Sequence, residues 1–191
     1  MRQNPTCLNE PALILALRES NETAFHYLVD TYRNRIFSTV LNIVQDNDEA
    51  EDCTQEVFIQ VYESISSFKG ESSLSTWMYR IAVRKALDRL RRKKVRERIR
   101  HFLPWTHDST GSQNFYHPGV TLDNKERAAL LYKAIRSLPE KQQLAFTLIK
   151  VQKMRYDEAS EIMELGIKAI ESLVSRAKEN LQKKLEHLVN K

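Results

Sequence analysis

Asp48-Glu-Ala-Glu-Asp-Cys-Thr-Gln-Glu-Val-Phe58 is the stretch that decides how this chain is read. Ala50, Cys53, Val57, Val61 and Ile65 recur at the three-to-four-residue step of one helical face. Asp48, Glu49, Glu51 and Asp52 crowd the first turns, where the positive end of the helix dipole favours carboxylates, and Asp46-Asn-Asp48 supplies capping oxygens. Downstream, Phe68-Lys-Gly-Glu-Ser-Ser-Leu74 breaks the period and reads as a loop. Ser75-Thr-Trp-Met-Tyr-Arg-Ile-Ala-Val83 then opens a long helix that runs through Arg89-Leu-Arg-Arg-Lys-Lys94 to about Arg100. The acidic helix suits a positively charged protein. The basic one suits an anion.

In the long helix, Trp77, Ile81, Ala82, Ala86 and Leu90 can face a core, while Arg80, Arg84, Lys85, Arg89, Arg91 and Arg92 line the other faces. Such cations neutralise nucleic-acid phosphates, and Trp77 and Tyr79 offer rings for stacking on exposed bases. A solvated basic surface with Trp77 in the core is the other reading of the same residues. Upstream, Leu13 and Leu17, then Phe25, Leu28, Val29 and Tyr32, mark two short amphipathic segments separated by Ser20-Asn21, a break and helix cap. A further helix carries Ile36, Phe37, Val40, Leu41 and Val44 and ends near Gln45.

From His101 to Leu122 the period collapses around Pro104, Gly111 and Pro118-Gly119, so 101–122 is expected to be an irregular linker. Stretched, it would reach about 70–80 Å. Phe102, Trp105, Phe115 and Tyr116 make it aromatic for a spacer, and those rings either dock on a partner or fold back on the chain. Helices resume at Asp123, with Leu130, Leu131, Ala134, Ile135 and Leu138 on one face and Pro139 opening the next helix. Leu144, Ala145, Leu148 and Val151 continue the pattern.

Tyr156–Met163, a turn at Glu164-Leu-Gly166, and a second helix over Lys168–Ala177 give the outline of a helix-turn-helix. Leu165, Ile170 and Leu173 would pack its corner, with small Ser160 where the helices approach. Lys168, Glu171, Ser172, Ser175 and Arg176 would point outward. Arg can fork onto guanine and Glu can accept from cytosine, which is the chemistry of major-groove reading. A plain helical hairpin with a polar surface is the alternative.

The composition agrees with helices. In 191 residues there are only four Gly and five Pro, little material for the turns of an all-β fold. The net charge of +5 favours an anionic partner. Cys7 and Cys53 lack metal or disulfide spacing, and none of the five histidines makes the Glu-x-x-His pattern of a helical metal site. No phosphate loop or nucleophile elbow occurs. Neither a catalytic site, a metal nor a cofactor is expected. No run approaches the roughly eighteen apolar residues of a membrane span, and Ala12–Leu17 is a poor signal peptide, so the cytoplasm is the expected location.

With these residues in hand, the chain resembles the extracytoplasmic-function class of bacterial sigma factors. The Asp48–Phe58 segment is similar to the helix that docks on the β′ clamp helices of RNA polymerase, which implies contacts by Asp52, Gln55 and Glu56. Phe68–Leu74 is similar to the loop that captures a flipped base of the minus-ten element. The resemblance assigns Phe68, Lys69, Ser72, Trp77, Arg80, Arg84 and Arg91 to minus-ten DNA. Ser137-Leu-Pro139 and Glu171–Lys178 resemble domain four, with Lys168, Glu171, Ser172, Ser175 and Arg176 assigned to the minus-thirty-five element and the β flap as a further contact. The implied architecture is all-α: domain two over 1–100, the linker 101–122, and domain four over 123–191. An anti-sigma factor is an implied possible partner, and the chain itself is not the enzyme.

Three positions depart from the family pattern: Glu158-Ala-Ser160 in place of Glu-Ile-Ala, Gly166 where a capping Ser or Thr is common, and Val83-Arg84 in place of Arg-Asn. The rivals are a stand-alone helix-turn-helix regulator, which predicts palindromic sites bound without polymerase, a helical carboxylate metalloenzyme, and a protein-interaction adaptor.

Overall fold

The structure, a computed structural model, describes residues 9–102 and 125–189. All regular structure among these residues is helical. Helix α1 (Glu10–Arg18) is capped by the Asn9 side chain, which accepts from the Ala12 N–H, and it buries Leu13 and Leu17. Asn21 caps α2 (Glu22–Val44) in the same way at 3.0 Å from the Ala24 N–H. The expected break between Tyr32 and Ile36 does not exist, because α2 is one continuous helix. Arg33, Asn34 and Arg35 are merely its solvent-exposed turn, with no Gly or Pro to end it.

Asp46 caps α3 (Asn47–Ser64) by accepting the Glu49 N–H at 3.1 Å. The predicted stripe of Ala50, Cys53, Val57, Val61 and Ile65 is buried throughout, widened by Thr54 and Phe58. A short 3-10 turn (Ile65–Ser67) leads into the loop, and α4 (Leu74–Phe102) follows, one residue earlier than expected and running past Arg100. Leu28, Ile36, Val40, Val57, Met78 and Ala82 fill the space between α2, α3 and α4 with essentially no exposure. Full burial of each larger aliphatic side chain contributes roughly 1.5–3 kcal/mol.

The second half comprises α5 (Lys125–Arg136), α6 (Glu140–Phe146), a π-helical winding (Thr147–Val151), α7 (Tyr156–Met163) and α8 (Ile167–Val189). Pro139 stands at the cap position just before α6. Ala134, Ile135 and Leu138 pack against Ala177 and Leu181 of α8. Leu130 and Leu131, expected on the same face, are 38% and 39% exposed, unlike Ala134, Ile135 and Leu138. Leu131 lines an open groove with Phe146, Leu181 and Leu185. The second helix of the helix-turn-helix runs well past Ala177, since Leu181 and Leu185 continue its apolar face.

The two halves meet, with α4 against α7 and α2 against α6. One hydrophobic cluster runs from Leu13 of α1 to Val174 of α8. Most of the expected linker, with Trp105, Phe115 and Tyr116, and Cys7 near the start, lie outside the described residues.

Candidate protein and nucleic-acid interfaces

The acidic face of α3 is built by capping and periodicity, and its neighbour α4 decides which carboxylates are free. Asp52 and Gln55 are exposed. Glu56 is engaged, at 2.6 Å from Arg89 Nη2 and 3.7 Å from Lys85 Nζ. Arg89 Nη1 also donates to Glu49 Oε2 at 2.8 Å and stands 4.0 Å from Asp52. Lys93 meets Asp46 at 3.5 Å. Lys85, Arg89 and Lys93 therefore form a ladder with the α3 carboxylates, so these α4 cations serve an intramolecular face. Sequence reasoning assigned Lys85 and Arg89 to the basic surface and missed the ladder. Its signal was present, as an acidic stripe at helical spacing followed by a basic stripe at i, i+4 and i+8. Burial alone disfavours the Arg89 charge, but its hydrogen bonds to Glu56 and Glu49 outweigh this and raise its pKa. Between α2 and α3 lies a groove of about 420 Å³ lined by Val29, Phe37, Gln55 and Phe58, with Arg33 and Glu51 paired at 3.3 Å on its rim.

The loop after α3 is anchored at both ends. Phe68 is buried, its ring 5.0 Å from that of the half-buried Trp77. Ser73 Oγ accepts the Thr76 N–H at 3.1 Å and so caps α4. Between them Lys69, Gly70 and Glu71 are exposed and Ser72 is partly so, with Gly70 at φ +75°, a conformation open to glycine at no steric cost. Lys69 and Ser72 thus stand at the tip, while Phe68 presents no free ring. Tyr79 is wholly buried against the second half of the chain, so neither ring face is open to a base in this arrangement. Burial pushes its phenol up to about 12, against the opposing pull of Arg35.

On α4, Arg91 is exposed and pairs with Asp88 at 3.0 Å. Arg80 and Arg84 face α7 instead. Arg84 pairs with Glu164, and Arg80 lies 3.7 Å from Glu161 while its Nε is buried without a hydrogen-bond partner. Deeper in the same seam, Gln152 accepts from the Tyr79 hydroxyl at 3.3 Å, and its carbonyl accepts from Arg35 at 3.1 Å. Gln143 donates to the Asn42 carbonyl. Sequence reasoning missed Gln143 and Gln152, because a buried glutamine has no periodic signature of its own.

In the helix-turn-helix, Glu164 adopts the left-handed conformation that ends α7, and Ser160 Oγ donates to the Leu165 carbonyl at 2.5 Å. Ala159, Ile162, Ile170 and Val174 are buried at the corner, with Met163, Leu165 and Leu173 packed against them. Lys168, Glu171, Ser172, Ser175 and Arg176 are all exposed, brought together along the outer side of α8. Ser175 Oγ donates to Glu179 at 3.4 Å. Among the described residues, no three His, Cys, Asp or Glu side chains converge to hold a metal, and no helix is long and apolar enough to cross a membrane.

Residues 28–96 match the family model of Sigma-70 region 2, and residues 128–181 match that of Sigma-70, region 4. The ECF RNA polymerase sigma-E factor of Haemophilus influenzae is 30% identical over 186 residues, covering 95% of this chain and 98% of that relative. The chain belongs to the ECF sigma factor family. The sigma-E factor of Escherichia coli K12 is 28% identical over 188 residues, covering 96% and 98% of the two chains. The RNA polymerase sigma-H factor of Pseudomonas aeruginosa is 28% identical over 188 residues, covering 93% and 94%. Two solved structures share the fold. One is the sigma factor RpoE of Bartonella quintana in complex with the anti-sigma factor NepR (TM-score 0.68, 22% identity, 85% of this chain and 96% of that one). The other is CnrH in complex with the cytosolic domain of CnrY (TM-score 0.68, 19% identity, 93% and 97%). As an ECF sigma factor, this chain directs RNA polymerase to promoters and is not itself an enzyme.

Proposed function

We propose that the sigma factor divides its work among three surfaces. The acidic face of α3, through Asp52, Gln55 and Glu56, docks on the β′ clamp helices of core polymerase. The 68–74 loop and the start of α4 take the minus-ten element: Lys69 and Ser72 at the tip receive a flipped base, Trp77 backs it through Phe68, and Arg80, Arg84 and Arg91 hold phosphates. Lys168, Glu171, Ser172, Ser175 and Arg176 on α8 read the minus-thirty-five element in the major groove, while domain four touches the β flap. The domain boundaries that go with this are 1–100, 101–122 and 123–191. The protein acts in the cytoplasm, and an anti-sigma factor is a natural further partner.

The observation that carries this reading is the exposure of all five polar residues along α8 in a chain that also exposes Asp52 and Gln55 on an acidic helix. Geometry supports simultaneous contact at two promoter elements, since two turns of DNA span about 70 Å and the linker's reach is comparable. Extruding a base costs a few kcal/mol and requires no nucleotide hydrolysis by the sigma factor. The test is transcription by purified core polymerase, with and without this protein, from a pooled promoter library of its host. New discrete start sites sharing two spaced elements are expected. Binding to palindromic sites without polymerase, and no new starts, would instead identify a stand-alone regulator.

A further inference from the structure

Among the described residues, the 68–74 loop is tied to the rest of the molecule by two tertiary hydrogen bonds, and both are made by α1. Glu10 is the first residue of α1, and its Oε1 accepts the N–H of Leu74, the first residue of α4, at 3.0 Å. Arg18 is the last residue of α1, and its Nη2 donates to the Phe68 carbonyl at 2.5 Å. One helix therefore grips the loop where it begins and where it ends. Both bonds involve a charged group, the stronger kind of hydrogen bond.

We propose that α1 is a positioning element for promoter opening: Glu10 and Arg18 hold the two ends of the 68–74 segment so that its tip is shaped in advance for a promoter base. This rests on the reading of that loop as the base-capture element. A nine-residue helix keeps its ends about 12 Å apart. The loop between its anchored ends would reach roughly 20 Å if stretched. The slack is forced outward as the exposed bulge at Lys69–Glu71, turned by Gly70 at positive φ. The gripping helix is itself stiff, with the Asn9 cap and Pro11 at its start and Leu13 and Leu17 buried in the core. Glu10 also lies close enough to Tyr32 of α2 to add to the rise of that phenol's pKa, after burial, so the grip is seated on the main bundle. All of α1, including Glu10 and Arg18, precedes the matched region 2 segment, which starts at residue 28.

A loop shaped before binding spends less of its interaction energy on ordering, so loss of the brace slows base capture without weakening the earlier encounter. The test uses holoenzyme reconstituted from core polymerase and full-length sigma factor on a promoter carrying 2-aminopurine in the minus-ten element. Glu10→Ala with Arg18→Ala is expected to slow the fluorescence rise of strand opening about tenfold. Core affinity and closed-complex affinity should stay within about twofold, because Asp52 and Gln55 of α3 and the exposed residues of α8 take no part in these two bonds. Arg18→Lys, which keeps a donor, should recover part of the rate. Val61→Ala, a core truncation in α3, serves as the control for mere destabilisation. Wild-type opening rates in the double variant overturn the proposal, as does equal slowing by Val61→Ala at the same loss of thermal stability. Lys69→Ala and Ser72→Ala separate the two readings. Slowing by these tip variants without slowing by the brace variants sinks the brace alone, and no effect of the tip variants sinks the base-capture reading with it.

Discussion

Arg89 is a single guanidinium on which two carboxylates of another helix converge, and its side chain is only 20% exposed. Replacing it with Ala removes the cation shared by Glu49, Asp52 and Glu56 and leaves Glu56 only Lys85, at 3.7 Å. Unfolding in urea should show a loss of roughly 1–3 kcal/mol, toward the lower end because Glu56 is half in water. Asp52 has the opposite environment, 70% exposed with Arg89 no nearer than 4.0 Å. Asp52→Lys should therefore leave thermal stability unchanged while weakening binding to core polymerase, as measured by titration against labelled core. Unchanged affinity would remove Asp52 from the docking face. Cys53 is a third case. Burial, partly opposed by Arg89, pushes its thiol from 9.0 up to about 11. The unfolded chain sheds that proton first as pH rises, so the stability it contributes is whole below pH 9 and declines between about pH 9 and 11. Denaturation at pH 8 and pH 10.5 should differ by on the order of 1 kcal/mol from this group, and Cys53→Ala should flatten that difference.

At the scale of elements, the two described glycines make opposite demands. Gly70 turns the 68–74 loop at φ +75°, so Gly70→Ala should cost about 1 kcal/mol even though nothing crowds the position. Gly166 has an ordinary φ and open space, and it stands where α8 begins, its carbonyl accepting from Ala169 and Ile170. Gly166→Ser should raise stability by a few tenths of a kcal/mol through a capping hydroxyl and a stiffer unfolded chain, read as a small upward shift of the melting temperature. Most element boundaries were legible. Asn21 and Asp46 cap as their side-chain chemistry dictates, and the α3 stripe is buried residue for residue. The further helix expected to carry Ile36 is instead the continuation of α2, and the apolar step from Tyr32 to Ile36 to Val40 runs straight through it.

At the scale of the molecule, the sigma factor is closed, with α4 laid against α7. Arg84 is committed to Glu164, and Arg80 has a poor partner in Glu161 and a buried Nε with none. For the Arg80 guanidinium to meet phosphate this seam must open, whereas Arg84 need only leave Glu164. Magnitudes say what holds it. Arg84 and Glu164 are each 65% exposed, and such a pair is worth about 0–1 kcal/mol. Gln152 is buried and satisfies the Tyr79 hydroxyl, so its loss strands a buried donor at roughly 1–3 kcal/mol. Gln152→Ala should therefore expand the free protein in small-angle scattering, while Glu164→Ala should barely change it. Identical scattering from Gln152→Ala and wild type would show that Gln152 is not what keeps the halves together.

The residues that make helices, their caps, the acidic and basic stripes and the outward face of α8 were determined by the sequence alone, because each depends on spacing within a single segment. The fate of the charges was not. Whether Lys85 and Arg89 serve DNA or α3, whether Tyr79 offers a ring or buries it, and whether Arg84 is free depend on which helix lies opposite. Pairing between segments distant in the chain is set by the packing of α2, α3, α4 and α7 together, and only the tertiary structure decides it.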